Sequence, residues 1–139
     1  MLEKAVQIAV SAHKEQVDKS EQPYILHLIR VMDAGETEQE KICGILHDLV
    51  EDTDWTFEKL ENEGFSEEII SALKCVTKQE NEDYDAFIGR VKTNPLAIKV
   101  KLNDLRDNMD ITRLFYITEK DRERLNKYLK AYQELKCIS

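Results

Sequence analysis

The stretch GILHDLVEDTDWT, Gly44 to Thr56, decides the fold and raises the question of function. Ile42, Ile45, Leu46 and Leu49 recur at three- and four-residue spacing, the period of an α-helix with one face in a core. His47, Asp48, Glu51 and Asp52 crowd into the same turn and a half with no Lys or Arg among them. A solvated face ordinarily mixes both signs of charge, and a core face leaves acids out. With about 100° per residue, a helix over 39–52 sets Gly44, His47, Asp48 and Glu51 apart from the apolar stripe. Gly44, one turn before His47 and Asp48, is expected to leave room for an object held between them. A neutral imidazole beside a carboxylate suits a first-row divalent metal ion.

One helix cannot surround an ion, so further donors must come from elsewhere. The chain has three histidines, His13, His27 and His47. In PYILHLIRVM, His27 lies on the flank with Tyr24 and Val31, beside the stripe Ile25, Leu28, Ile29 and Met32, and is placed to face a neighbouring helix. In KVKLNDLRDNMD, Ile98, Leu102, Leu105 and Met109 form an apolar stripe, while Val100, Lys101, Asp104 and Asn108 share another face.

Helix signals recur along the rest of the chain and strand signals do not. Leu2, Ala5, Val6, Ala9 and Val10 predict an amphipathic helix over 2–17. Pro23 suits a first helical turn and Gly35 an end, while Thr37 with Glu40 predicts a capping box. A short helix over 56–63 stops at Gly64, another follows Ser66, and a third covers 83–91. Asn94-Pro95 opens a long helix ending near Asp110, and Thr118 opens the last, which runs to about Leu135. The stripe Leu125, Tyr128, Leu129, Tyr132 and Leu135 is expected to pack on the same domain. The expectation is an all-α, compact helical bundle of about seven or eight helices forming one domain over 1–139.

The bulk properties narrow the function classes. With 28 acidic and 20 basic residues the net charge is −8, which argues against nucleic acid as a partner because phosphate-backbone contact needs clustered Lys and Arg. No apolar run approaches the roughly 18 residues of a membrane span, so no membrane partner is expected. MLEKAVQIAV lacks the pattern of a signal peptide, so the expected location is cytoplasmic. Cys43, Cys75 and Cys137 form no CxxC pair and read as reduced, buried or partly buried thiols.

The order His27, His47-Asp48, Asp104 resembles the HD phosphohydrolase superfamily. The finer motifs AHKEQ at 12–16, PYILH at 23–27, ILHDLVEDT at 45–53, VTK at 76–78 and KLNDLRDNM at 101–109 resemble the hydrolase domain of RelA/SpoT proteins, from about residue 3 to residue 113. The resemblance implies an HD-type helical bundle that removes the 3′-pyrophosphate from the guanine alarmones ppGpp and pppGpp, leaving GDP or GTP. It implies one divalent metal ion, Mn²⁺, held by His27, His47, Asp48 and Asp104. Glu51 and Asp52 match the family's catalytic acids, Asn108 a residue at the substrate, and Lys19 and Ser20 the loop that approaches the nucleotide. Lys78 and Lys101 match family positions without an assigned role, and His13 matches a motif histidine that is not a ligand. A bound divalent ion lowers the pKa of water toward neutrality, and Glu51 and Asp52, one turn from His47 and Asp48, stand where such a water could be positioned.

The chain departs from that pattern at the substrate side. Asp18 stands in place of an arginine and Glu21 in place of a glycine; Leu28 replaces a proline, Leu105 and Asp107 replace Arg and His, and Ile111 replaces Thr. Two further readings therefore accompany the alarmone hydrolase: an HD hydrolase of another phosphorylated nucleotide, with Asp18 steering against the alarmone, and a nucleotide-sensing module without turnover. The oligomeric state is left open.

Overall fold

The computed structural model describes residues 1–139 and is built from helices alone: α1 (Leu2–Ala12), α2 (Ile25–Ala34), α3 (Glu38–Leu46), α4 (Leu49–Asp52), α5 (Phe57–Asn62), α6 (Glu67–Val76), α7 (Tyr84–Val91), α8 (Pro95–Asn108) and α9 (Glu119–Ile138), with a 3₁₀ turn at Ile111–Arg113. A single antiparallel bridge, Val17 to Pro23, closes the loop between α1 and α2. The all-α expectation holds, and each of the eight predicted segments is present.

Local chemistry starts most of these helices. Thr37, Thr56, Ser66, Asp83, Asn94 and Thr118 each accept a backbone N–H from the first turn of their helix. Thr118 and Asp121 form a reciprocal capping box. The box predicted at Thr37 is half made: Thr37 Oγ1 accepts from Glu40 N, but Glu40 Oε1 accepts from Glu36 N instead of Thr37 N. Gly64 ends α5 with φ of +97°, a left-handed conformation that costs glycine little.

Three boundaries differ from the sequence reading. α1 stops at Ala12, five residues early, because the chain turns at His13 into the loop that leads to α2. The segment 39–52 is two helices: α3 ends at Leu46, and Asp48, at φ −104° and ψ 2°, starts α4. α9 continues to Ile138, past the predicted end, leaving Cys137 exposed rather than partly buried.

The core is a single cluster of 25 buried residues. Ile42 to Leu46 are all buried, so the C-terminal half of α3 is surrounded on every side rather than amphipathic, while Glu38 and Gln39 at its start face solvent. α8 is nearly as deep, burying Ala97, Ile98, Val100, Leu102 and Leu105 together with Lys101 and Asp104. Each fully buried Leu or Ile contributes roughly 1.5–3 kcal/mol of transfer free energy. On α2 the deepest residues are His27, Leu28 and Val31, while Ile25, Ile29 and Met32 are half-buried. The buried face is thus rotated toward His27 relative to the predicted stripe. On α9, Ala131 and Leu135 are buried while Leu129 faces solvent. α2, α3 and α8 pack pairwise against one another, and the candidate site lies where they meet.

Gly44 has a different task from the one expected of it. A Cβ there would lie 3.1 Å from the Cα and N of Met32 and 3.2 Å from the carbonyl carbon of Val31. The glycine lets α3 lie against the backbone of α2; it does not clear space for an ion. The close approach brings His27 on α2 to His47, the residue that caps the C-terminus of α3.

Candidate metal centre

α2, the C-terminal cap of α3 and α8 each deliver one donor to a common point. His27 Nε2 is 3.0 Å and His47 Nε2 is 3.1 Å from the same oxygen, Asp104 Oδ1. All three residues are buried, and their ligand atoms lie within 4.8 Å of one another. The imidazole planes meet edge to face with centroids 5.4 Å apart.

The second nitrogen of each ring fixes what the first can do. His47 Nδ1 lies 2.7 Å from Gly44 O, and a carbonyl only accepts, so Nδ1 carries the hydrogen. His27 Nδ1 likewise donates to Asp107 Oδ2 at 2.6 Å. Burial works against ionising Asp107, but its bonds with His27 and Arg30 outweigh it and hold the carboxyl down at about 2. In the neutral rings both Nε2 atoms therefore present lone pairs to an anionic oxygen. Burial opposes charging either ring, yet the acids around them win: Asp48 and Asp104 raise His47 well above its ordinary value, and Asp104 and Asp107 raise His27. These atoms require positive charge between them. A divalent ion satisfies both rings and the carboxylate at once, and the mixed N/O donor set suits a first-row metal.

Asp104 is tied on every side. Its Oδ1 also accepts from Asn108 Nδ2 at 3.1 Å, and its Oδ2 accepts from Lys101 Nζ at 2.9 Å. Burial favours the neutral acid, but the Lys101 and His47 charges hold Asp104 well below the usual carboxylate range. Lys101 is buried too, with its ammonium 5.0 Å from the Phe87 ring centre.

Asp48 adjoins this group without joining its tightest part. Its Oδ2 is 3.2 Å from His47 Nε2 and accepts from Tyr24 OH at 2.5 Å. The break between α3 and α4 makes this possible, since neighbours on an unbroken helix diverge.

The two expected catalytic acids sit at the rim on α4. Asp52 is pushed up to about 6 by partial burial of its carboxyl and by the charges of Asp48 and Glu51. Glu51 Oε1 accepts from Lys78 N at 3.0 Å, which ties α4 to the loop after α6. Gln16 Nε2 donates to Asp52 O at 3.2 Å, and Gln16 Oε1 accepts from His13 Nδ1 at 2.8 Å. His13 is buried and bonded to Gln16 through Nδ1, its ring 5.8 Å from that of Tyr24, while its Nε2 has no hydrogen-bond partner.

A cleft of about 480 Å³ opens beside His27 and Tyr24. Lys19, Ser20 and Asn108, the expected substrate residues, all line it, together with Arg30, Arg113 and Arg124. Burial and the Arg124 charge lower Lys19 from its ordinary value. Asp18 lies at the same wall, but its Oδ1 accepts from Ser20 N at 2.8 Å and Gln22 N at 3.0 Å. Between these bonds sits Glu21 at φ +62°, a conformation that costs a non-glycine residue about 1 kcal/mol or more. Asp18 and Glu21, the two departures in this loop, thus act on one turn: the first holds the second in place.

The sequence assigned no role at the site to several contributors. Tyr24 on Asp48, Asp107 on His27, and Arg30 with Arg113 on Asp107 were each legible only as spacing: Arg30 follows His27 by three residues, and Asp107 follows Asp104 by three.

No protein-family model matches the chain. Over an alignment covering 91% of its length, it is 30% identical to the guanosine-3′,5′-bis(diphosphate) 3′-pyrophosphohydrolase of Aquifex aeolicus. It is 32% identical, over an alignment covering 89% of its length, to the protein of the same name from Borreliella burgdorferi. The chain spans about a fifth of the length of these curated relatives, 19% and 20%. Among solved structures it superposes on a metazoan ortholog of SpoT, described as hydrolysing ppGpp and playing a role in starvation responses. The TM-score is 0.78 at 24% identity, covering 96% of this chain and 84% of the other. An all-α bundle that gathers buried His and Asp donors from three packed helices is the HD-type fold. Within that class the chain belongs to the RelA/SpoT-type HD domains. No helix is long and apolar enough to cross a membrane.

Proposed function

We propose that the protein is a metal-dependent phosphohydrolase that removes the 3′-pyrophosphate of ppGpp or pppGpp in the cytoplasm. Its one divalent ion, Mn²⁺, would be held by His27, His47 and Asp104, with Asp48 beside His47. The observation that carries this reading is the convergence of His27 Nε2, His47 Nε2 and Asp104 Oδ1 while both Nδ1 atoms are committed as donors. The names of the Aquifex and Borreliella relatives support the substrate.

When bound, the ion supplies Lewis-acid stabilisation of phosphoryl oxygen and a lowered pKa for water. The remaining work falls to the chain. Asp52, pushed up to about 6, is ionised at neutral pH yet close enough to neutrality to accept a proton from the attacking water. Glu51, anchored on the Lys78 N–H, orients that exchange from the other side of α4. Lys19, Ser20, Asn108 and the arginines of the cleft bind and orient the nucleotide. The cations of the cleft offset its four aspartates, Asp18, Asp107, Asp110 and Asp121, so its wall repels a polyphosphate less than the rest of a protein of net charge −8.

The test is purified protein with Mn²⁺ and ppGpp, followed for GDP and pyrophosphate. Turnover is expected, with loss of at least about a hundredfold in Asp104→Asn; absence of turnover in the parent sinks the substrate, and full turnover in the variant sinks the centre. Asp18 at the cleft wall favours a second reading, another phosphorylated nucleotide. A nucleotide panel scored for phosphate release separates the two, and gain of ppGpp hydrolysis in Asp18→Arg would favour the second.

A further inference from the structure

We infer that Asp107 is the positioning residue of the metal centre, setting His27 as an Nε2 ligand through a carboxylate–histidine pair that is itself clamped by Arg30 and Arg113. The inference rests on the metal reading above and adds to it a residue at one of the positions where the chain departs from the family pattern.

The geometry is closed at each link. Asp107 Oδ2 lies 2.6 Å from His27 Nδ1. Arg30 Nε donates to Oδ1 at 2.7 Å, and Arg30 Nη2 to Oδ2 at 3.2 Å, so the planar guanidinium holds both oxygens and prevents the carboxylate from turning away. Arg113 Nη2 donates to Asp107 O at 2.9 Å and lies 3.6 Å from Oδ2. Arg30 follows His27 by one turn of α2, and Asp107 follows Asp104 by one turn of α8. The same two helices therefore present the ligands and their holders, and a rigid shift of either helix moves each pair together.

A carboxylate behind an imidazole fixes its tautomer and ring orientation and raises its basicity as a ligand. His47 has only the neutral Gly44 carbonyl behind it. The two histidines are consequently unequal, and His27 is the more electron-rich donor. Arg30 balances the added negative charge, so the pair strengthens the ligand without adding net charge to the wall of the cleft.

The full chain is titrated with Mn²⁺ alone by calorimetry, and the Zn²⁺-loaded protein is read by ¹⁵N NMR of its histidines. Asp107→Ala is expected to weaken Mn²⁺ binding by about 10–100-fold, and Asp107→Asn, which keeps an acceptor but loses the charge, by less. In the parent, His27 is expected to carry hydrogen on Nδ1 and metal on Nε2, a signature that mere packing would not produce. Affinities within about twofold of the parent in both variants, or a His27 bound through Nδ1, would overturn the inference. If Asp107→Ala fails to fold by circular dichroism, the Asn variant and the parent tautomer decide. A parent that binds no Mn²⁺ overturns the metal reading together with this inference; a parent that binds beside unaffected variants overturns the Asp107 role alone.

Discussion

Asp104 offers one carboxylate oxygen to two imidazoles and an amide, and the other to a buried ammonium. Removing one partner from such a group leaves charge buried without compensation, which typically costs about 3–5 kcal/mol. Lys101→Met is therefore expected to destabilise the metal-free protein by that order in urea unfolding. Because a divalent ion replaces the lost positive charge, Mn²⁺ should stabilise this variant more than the parent; an equal gain in both would argue against an ion at Asp104. Asp52 carries the opposite sign of effect. Its folded pKa of about 6 lies above the ordinary aspartate value, so at neutral pH its charge destabilises the fold. Asp52→Asn should abolish turnover yet raise stability at pH 7, by no more than about 1 kcal/mol because the carboxyl is only partly buried and water screens it. The gain should shrink as pH falls through 6 and vanish by about pH 3, below the ordinary aspartate value, where folded and unfolded states are both neutral. Thermal melts across that range check it.

At the scale of elements, the site depends on how closely α2 and α3 approach. Gly44→Ala would set a methyl 3.1 Å from the backbone of Met32, which cannot move as a flexible side chain could. The expected cost is about 1–3 kcal/mol, as for other overpacked core positions. His27 would also be displaced from His47, so the variant should lose Mn²⁺ affinity beyond what its loss of stability explains. Calorimetry at a temperature where the variant is fully folded separates the two effects. The break between α3 and α4 matters in the same way, because it lets His47 and Asp48 serve one place.

For the molecule as a whole, the candidate centre joins α2, α3 and α8 at the middle of the bundle, so binding there acts on the entire fold. At a free Mn²⁺ concentration of about 100 times Kd the stabilisation is about 2.7 kcal/mol, which for a domain of this size raises Tm by roughly 5–10 °C. A chelator should reverse the shift, and Asp104→Asn should lack it. A Tm indifferent to Mn²⁺ in the parent would remove the centre from the account. The negative net charge does not extend into the cleft, because Lys19, Arg30, Arg113 and Arg124, drawn from four separate segments, offset its four aspartates, Asp18, Asp107, Asp110 and Asp121.

Much of this protein is written locally. Helical periodicity, side-chain caps at Thr37, Asn94 and Thr118, and the terminal Gly64 determine that the chain is all α and where most helices begin, because those signals act within a few residues. The convergence of His27, His47 and Asp104 was also legible, through residue types and their order along the chain. Other features depended on contacts that spacing along one helix does not show. The task of Gly44 could not be read from its own helix, since the atoms it makes way for belong to Met32 and Val31 on another. The roles of Tyr24, Arg30 and Asp107 arose only once α2, α3 and α8 met. Asp18 looked like a charge aimed at substrate, and the fold turns one of its oxygens onto its own loop. The sequence by itself determined which donors exist and which helices carry them; the packing of three helices decided which nitrogen of each histidine faces the centre, because a tautomer is set by the partner behind the ring.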